Sequence, residues 1–202
     1  MIGETAMRAK RKITRDDILP FERYAEERGD RRRRITALKR HRRVEVGPHA
    51  TFYFENYETM LHQIHEMLFI EKGGESQIPD ELSAYNPLIP NGAELVATVM
   101  FEIDDPIRRG TVLATLGGIE RCSLVEFNGI RILGIPESDQ ERTTAEGKAS
   151  SVQFVHFPFS QEQIAAFSLP HTKVVLGFTH PNYGHLAVVP EDVRAELTRD
   201  FD

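Results

Sequence analysis

The run SLVEF-NG-IRIL, residues 123–133, leaves the chain its fewest choices. Asn128-Gly129 is a favoured two-residue hairpin turn, because both positions tolerate positive φ. The turn sets Phe127 opposite Ile130, Glu126 opposite Arg131 and Val125 opposite Ile132. Apolar pairs then share one face and the ion pair takes the other, so turn chemistry and pattern agree on the register. A chain containing this segment builds an antiparallel sheet with one buried face.

Other segments follow the same logic. Val44 and Val46 alternate with charge, Gly47-Pro48 turns the chain, and 51–54 return, which reads as a hairpin over 43–54. Strands are expected at 94–103 and 152–157, with a further hairpin from 173–179 to 186–189 around His180-Pro181-Asn182-Tyr183-Gly184. Helices are expected at 20–42, 56–71, 79–85, after Asp105-Pro106, after the Ser160/Gln163 capping box, and after Pro190. The clearest is 56–71, where Tyr57, Met60, Leu61, Ile64, Met67 and Leu68 form one apolar stripe behind an Asn56 cap. The fold class is α+β: a mostly antiparallel sheet with helices on one face, preceded by an N-terminal helical segment and a β-hairpin. A ferredoxin-like order over 93–179 is compatible with this succession. We expect a flexible arm at 1–13, then one domain over 14–202, helical and hairpin in 14–90 and sheet-rich in 91–202. The polar stretch 136–150 reads as a mobile loop.

Cys122 is the only cysteine, which excludes an internal disulfide and any multi-cysteine zinc or iron–sulfur site. The apolar runs are strand-sized rather than membrane-sized, and MIGETAMRAKRK lacks the apolar core of a secretory signal. The expected location is cytoplasmic. No phosphate-cradling glycine loop and no nucleophile elbow occurs, so whether the chain is an enzyme stays open.

Charge is unevenly spread. Residues 1–44 carry 15 Lys and Arg against 7 Asp and Glu, while the chain as a whole has a net charge of −6. The basic residues Arg31, Arg32, Arg33, Arg34, Lys39, Arg40, Arg42 and Arg43 form a candidate surface for an acidic partner. Nucleic acid is the weaker alternative, because no base-reading motif accompanies the cluster and the acidic remainder repels a polyanion. The helix also has an apolar face, Phe21, Tyr24, Ile35 and Leu38, which must bury against something.

A second candidate is chemical. Glu58, His62, His65 and Glu66 share one side of helix 56–71, at spacings that can chelate a divalent transition metal. Their order matches neither H-E-x-x-H nor the di-iron Glu-x-x-His pair, so a solvated helix face is the weightier reading. His180 and His185 flank a tight turn and are candidate ligands of the same kind, with His49 as a conceivable third.

The runs TFYFEN, HQIHEM, ELSAYNPLIP and ELVATVMFEI, together with the preceding arginine-rich segment, resemble a family of bacterial proteins of unknown function. The resemblance covers nearly the whole chain. It implies an association with redox or peroxide-stress metabolism, because members are often encoded beside rubrerythrin and an iron–sulfur oxidoreductase. It implies no activity. It points to Glu55, Asn56, Glu66, Tyr85, Asn86, Glu94 and Glu102, and not to His62 or His65. Taken together, the expectation is a non-catalytic accessory or interaction protein of a redox system. The alternatives are a metal-binding protein or metal-dependent enzyme and, behind it, a nucleic-acid binder.

Overall fold

The Asn128-Gly129 turn forms in the register read from the sequence, with Phe127 opposite Ile130 and Val125 opposite Ile132. Both turn residues take positive φ, 50° and 75°. Around this hairpin the computed structural model describes residues 10–137, 143–144 and 147–202.

The chain begins with α1 (Phe21–Arg40), β1 (Arg43–Val46), β2 (Ala50–Phe54), α2 (Tyr57–Glu71) and α3 (Ile78–Tyr85). Next come β3 (Glu94–Phe101), α4 (Pro106–Leu113), β4 (Ser123–Phe127), β5 (Ile130–Leu133) and β6 (Ile135–Pro136). It closes with β7 (Val152–Pro158), α5 (Gln161–Ser168), β8 (Val174–Phe178), β9 (Leu186–Val188) and α6 (Glu191–Leu197). The α+β class holds, and every strand pair is antiparallel.

The strands form two sheets rather than one. The first runs β1-β2-β3-β7-β6 and the second β5-β4-β8-β9. A ferredoxin-like order is therefore excluded, because β3 bonds to β2 and β7 while β4 and β8 lie in the other sheet. The chain changes sheets at Gly134, where a Cβ would sit 2.1 Å from the Ser123 hydroxyl. Only glycine lets the two strands pass that closely.

Between the sheets lies the larger core. Phe52 and Phe178 meet at 5.0 Å between ring centroids, and Phe101 lies 6.1 Å from Phe178. Leu113, Phe167, Val193 and Leu197 bring α4, α5 and α6 into this core. Each aromatic ring withdrawn from water contributes about 1.5–3 kcal/mol.

The outer face of the first sheet carries a second, smaller core. Val96 points there and meets Met60 and Ile64 of α2, Ile78, Leu88, Ile89, Ile13 and Ile18. Asn56 caps α2 by accepting the Thr59 N–H at 3.0 Å, which fixes where the helix starts and so which face meets the sheet. α1 lies outside α2 as one unbroken helix despite Gly29. It buries only Tyr24 and Ile35.

Residues 1–9 of the expected flexible arm lie outside the described residues. Residues 10–13 are tied down. Arg11 donates to the carbonyls of Pro90 and Asp200, both at 2.9 Å, and Ile13 is fully buried. The expected loop 136–150 also falls partly outside the described residues. Its start forms β6 on the edge of β7, and Thr143 pairs with Ala149. The alternation signal missed β6 because it is only two residues long. Among the described residues, no helix is long and apolar enough to cross a membrane.

Candidate functional site

Apart from the exposed Glu58, the side of α2 that carries Glu58, His62, His65 and Glu66 does not face water. It faces α1. Tyr24 on α1 donates its hydroxyl proton to Glu66 Oε1 at 2.6 Å, and Arg28 donates to both Glu66 oxygens at 2.8 Å. The Arg28 guanidinium also lies 4.5 Å from the Phe69 ring centroid. The bidentate Arg28 bond, with that of Tyr24, holds the Glu66 carboxyl down to about 2. The Tyr24 ring stacks on the His65 imidazole at 4.7 Å.

His65 is committed at both nitrogens. Its Nδ1–H donates to the Leu61 carbonyl at 2.8 Å, and Nε2 accepts the Leu19 N–H at 3.0 Å. The second bond requires an unprotonated Nε2, which assigns the tautomer. Burial pushes the His65 pKa down to about 4, and it lowers that of half-buried His62 as well. Neither ring nitrogen of His65 has a lone pair to spare for a metal. Glu58 stands apart, half-exposed and 3.5 Å from Arg34.

His180 and His185 are not brought to this face. His180 Nε2–H donates to the Gly117 carbonyl at 3.1 Å, and Nδ1 accepts the Asn182 N–H at 3.2 Å. The His185 ring packs on Gly47 and meets the Tyr183 ring edge-on at 4.6 Å. The working residue of the turn is Tyr183. Its hydroxyl accepts the N–H groups of His49 and Ala50 and donates to the Val46 carbonyl, all within 2.9 Å. The turn thereby clamps the β1–β2 hairpin. Among the described residues, no group of three or more His, Cys, Asp or Glu is arranged to hold a metal ion. The spacing that suggested chelation is the spacing of a polar helix–helix contact.

The basic set divides in two. Arg42 is buried. It donates to the Phe54 and Glu55 carbonyls at 3.0 Å, pairs with Asp200, and lies 3.5 Å from Glu196. Burial outweighs that attraction and pushes the Asp200 carboxyl up to about 6. Arg42 is therefore a structural residue and not part of a docking surface. Arg31 is held by Glu27, Arg33 by Asp30 and Arg34 by Glu58. Arg32, Arg40 and Arg43 are exposed and make no ion pair among the described residues. Arg32 and Arg40 lie eight positions apart along one exposed flank of α1 with Thr36 between them, and the charge of Arg32 reaches His62 on α2.

Over residues 12–201 the sequence matches the family model described as Protein of unknown function, DUF3501. The chain belongs to the DUF3501 family. A solved structure similar to this chain is the crystal structure of a novel protein of unknown function from Burkholderia pseudomallei K96243. It is 36% identical, with a TM-score of 0.87 over 95% of this chain and 100% of that one. No curated protein matches. The fold is thus shared with that protein, and no activity comes with either match.

Most of the positions singled out by the resemblance have a visible structural task. Asn56 caps α2, and Asn86 accepts the Ile13 N–H at 2.8 Å. Glu66 holds α1, Glu94 pairs with His156 at 2.9 Å, and Glu102 accepts the Thr51 and Tyr53 hydroxyl protons. Glu55 differs. It is 4% exposed on the outer face of the first sheet, with Thr98 Oγ1 donating to Oε1 at 2.7 Å. Among the described residues its Oε2 has no hydrogen-bond partner. Tyr85 lines the same groove. Spacing alone cannot find this place, because its walls come from α1, α2, α3 and three strands.

Proposed function

We propose that this DUF3501 protein is a non-catalytic interaction protein that docks an acidic protein partner on the exposed flank of α1 and the start of β1. The observation that carries the reading is the division of the arginines. Arg28, Arg34 and Arg42 are spent on the protein's own carboxylates, whereas Arg32, Arg40 and Arg43 face outward without one. A long helix attached by its inner face alone leaves its outer face free for another molecule. The acidic remainder of the chain favours a protein over a nucleic acid, since phosphates would meet repulsion over most of the surface. The redox system suggested by the family resemblance is where such a partner is to be sought.

Capture with tagged protein at about 0.1 M and about 1 M salt tests this, because the screening length shrinks from about 10 Å to about 3 Å across that range. The expected result is a partner retained at low salt, released at high salt, and lost when Arg32, Arg40 and Arg43 are all changed to Glu. No partner at low salt, or binding indifferent to salt and to the triple change, rejects the reading.

A further inference from the structure

The groove at Glu55 is a built cavity of about 310 Å³, within the roughly 300–1,000 Å³ range of small-ligand pockets. It lies where the helical layer stops covering the first sheet. The floor is the row Tyr53–Thr98–Phe154, three side chains side by side on adjacent strands. Met60 and Tyr85 form the wall opposite, and Lys39 enters from the end of α1. Apart from Glu55 and Lys39 the lining is uncharged, and three of its rings are aromatic.

The carboxylate is the anomaly. Its own main chain is fully used, since the Glu55 N–H bonds to the Val96 carbonyl at 2.8 Å and its carbonyl accepts from Arg42. Arg42 reaches only that carbonyl and turns its charge to Asp200. Lys39 lines the groove but makes no ion pair with Glu55. An ionised carboxylate in this position is a buried charge with one bare oxygen, a costly arrangement unless a donor supplies both a proton and a positive charge. A water molecule supplies the hydrogen bond and leaves the charge.

We propose that this groove binds a small organic ammonium compound, its N–H on Glu55 Oε2 and its apolar body against Tyr53, Tyr85 and Phe154. The aromatic walls suit such a ligand twice over, through apolar contact and through attraction of the cation to ring faces. Oε2 is shielded from water, so the ligand enters by displacing a wall side chain. Lys39, unbranched and only half-buried, moves at least cost. None of Arg32, Arg40 and Arg43 lines the groove, so this inference stands apart from the docking surface.

The test is calorimetric titration of the full chain with tyramine, putrescine and tyrosine, using 2-phenylethanol as a neutral control. At least one ammonium compound is expected to bind saturably and the alcohol is not. Binding by tyrosine as well as tyramine supports the proposal equally, because the ammonium is the shared group. Glu55→Gln keeps the size of the side chain and removes the charge, and it should weaken binding at least about tenfold. Should Glu55→Gln not fold, Met100→Trp decides instead. Met100 lines the groove and is 37% exposed, so a bulkier side chain there fills the space while leaving Glu55 in place. No ammonium binding up to about 10 mM, equal binding of the alcohol, or binding unchanged by these substitutions overturns the proposal.

Discussion

Between the two sheets, apolar rings from β2, β7 and β8 close on one another, with Phe52 touching Phe54, Phe157 and Phe178. On the outer face of the first sheet, α1 is held to α2 by Tyr24, Arg28, His65 and Glu66. The first region is sealed by contacts that have no charge and no preferred protonation state. The second is sealed by hydrogen bonds and charge. One molecule therefore contains a core between the sheets whose cohesion ignores pH and salt and a helical layer whose attachment depends on both. A surface that meets partners belongs on the second kind of region, which opens locally at lower cost.

The comparison breaks first at its strongest point. Phe52→Ala empties the centre of the sandwich and should cost about 3–5 kcal/mol in denaturant unfolding, with no dependence on salt. A loss that varied with ionic strength would contradict the account of that core. Next comes Arg42→Met, which leaves Asp200 buried without its counter-charge and should cost about 3–5 kcal/mol near neutral pH. The Asp200 pKa already stands at about 6, above its ordinary 3.8, because of burial. A raised carboxyl adds stability below its ordinary value and loses it as pH rises through the folded value. The Arg42→Met deficit should therefore shrink when unfolding is repeated at pH 5, where Asp200 accepts a proton.

Tyr24→Phe removes one hydrogen bond to an ionised acceptor and should cost about 1.5–3 kcal/mol, smaller than either change above. The pH response of this layer runs opposite to that of Asp200. The His65 pKa is lowered to about 4 by burial, so its stabilisation is present above about 6.5 and lost as pH falls through 4. Glu66 is lowered to about 2 by Arg28, so its share is present above 4.5 and lost as pH falls towards 2. Amide hydrogen exchange, corrected for intrinsic rates, should show α1 opening between pH 6.5 and 4 while β2, β3 and β8 stay protected. Protection lost equally from helix and sheets would erase the distinction between the regions.

What the sequence revealed, and what it hid, follows the same line. Local chemistry was legible. The Asn128-Gly129 register, the Asn56 cap and the Ser160/Gln163 capping box all form as read. Of the apolar face read on helix 21–40, Tyr24 and Ile35 bury, whereas Leu38 is half-buried and Phe21 stays exposed. What needed contacts between distant segments was not legible. The split into two sheets depends on Gly134, whose neighbours give no strong periodic signal. The polar side of α2 looked solvated because its partners, Tyr24 and Arg28, lie some forty residues earlier. Arg42 looked like one more surface cation because nothing near it in sequence reveals Asp200. The Glu55 groove was hidden for the same reason, since a bare carboxylate oxygen is a property of what surrounds it.

The Arg42–Asp200 pair also dictates an order of events. The partners are 158 residues apart, and Arg11 reaches the Asp200 carbonyl across 189. A ribosome makes Arg42 early and Asp200 late. Throughout that interval the guanidinium has no counter-charge to bury beside, so the start of β1 cannot dock for good while the chain is being synthesised. The early helices can form and the first hairpin can close, but this contact waits until the turn that carries Asp200 has emerged. Contacts this distant in sequence slow folding, because the loop entropy is lost before the contact forms. In this fold one buried arginine ties an early segment of the chain to a late one.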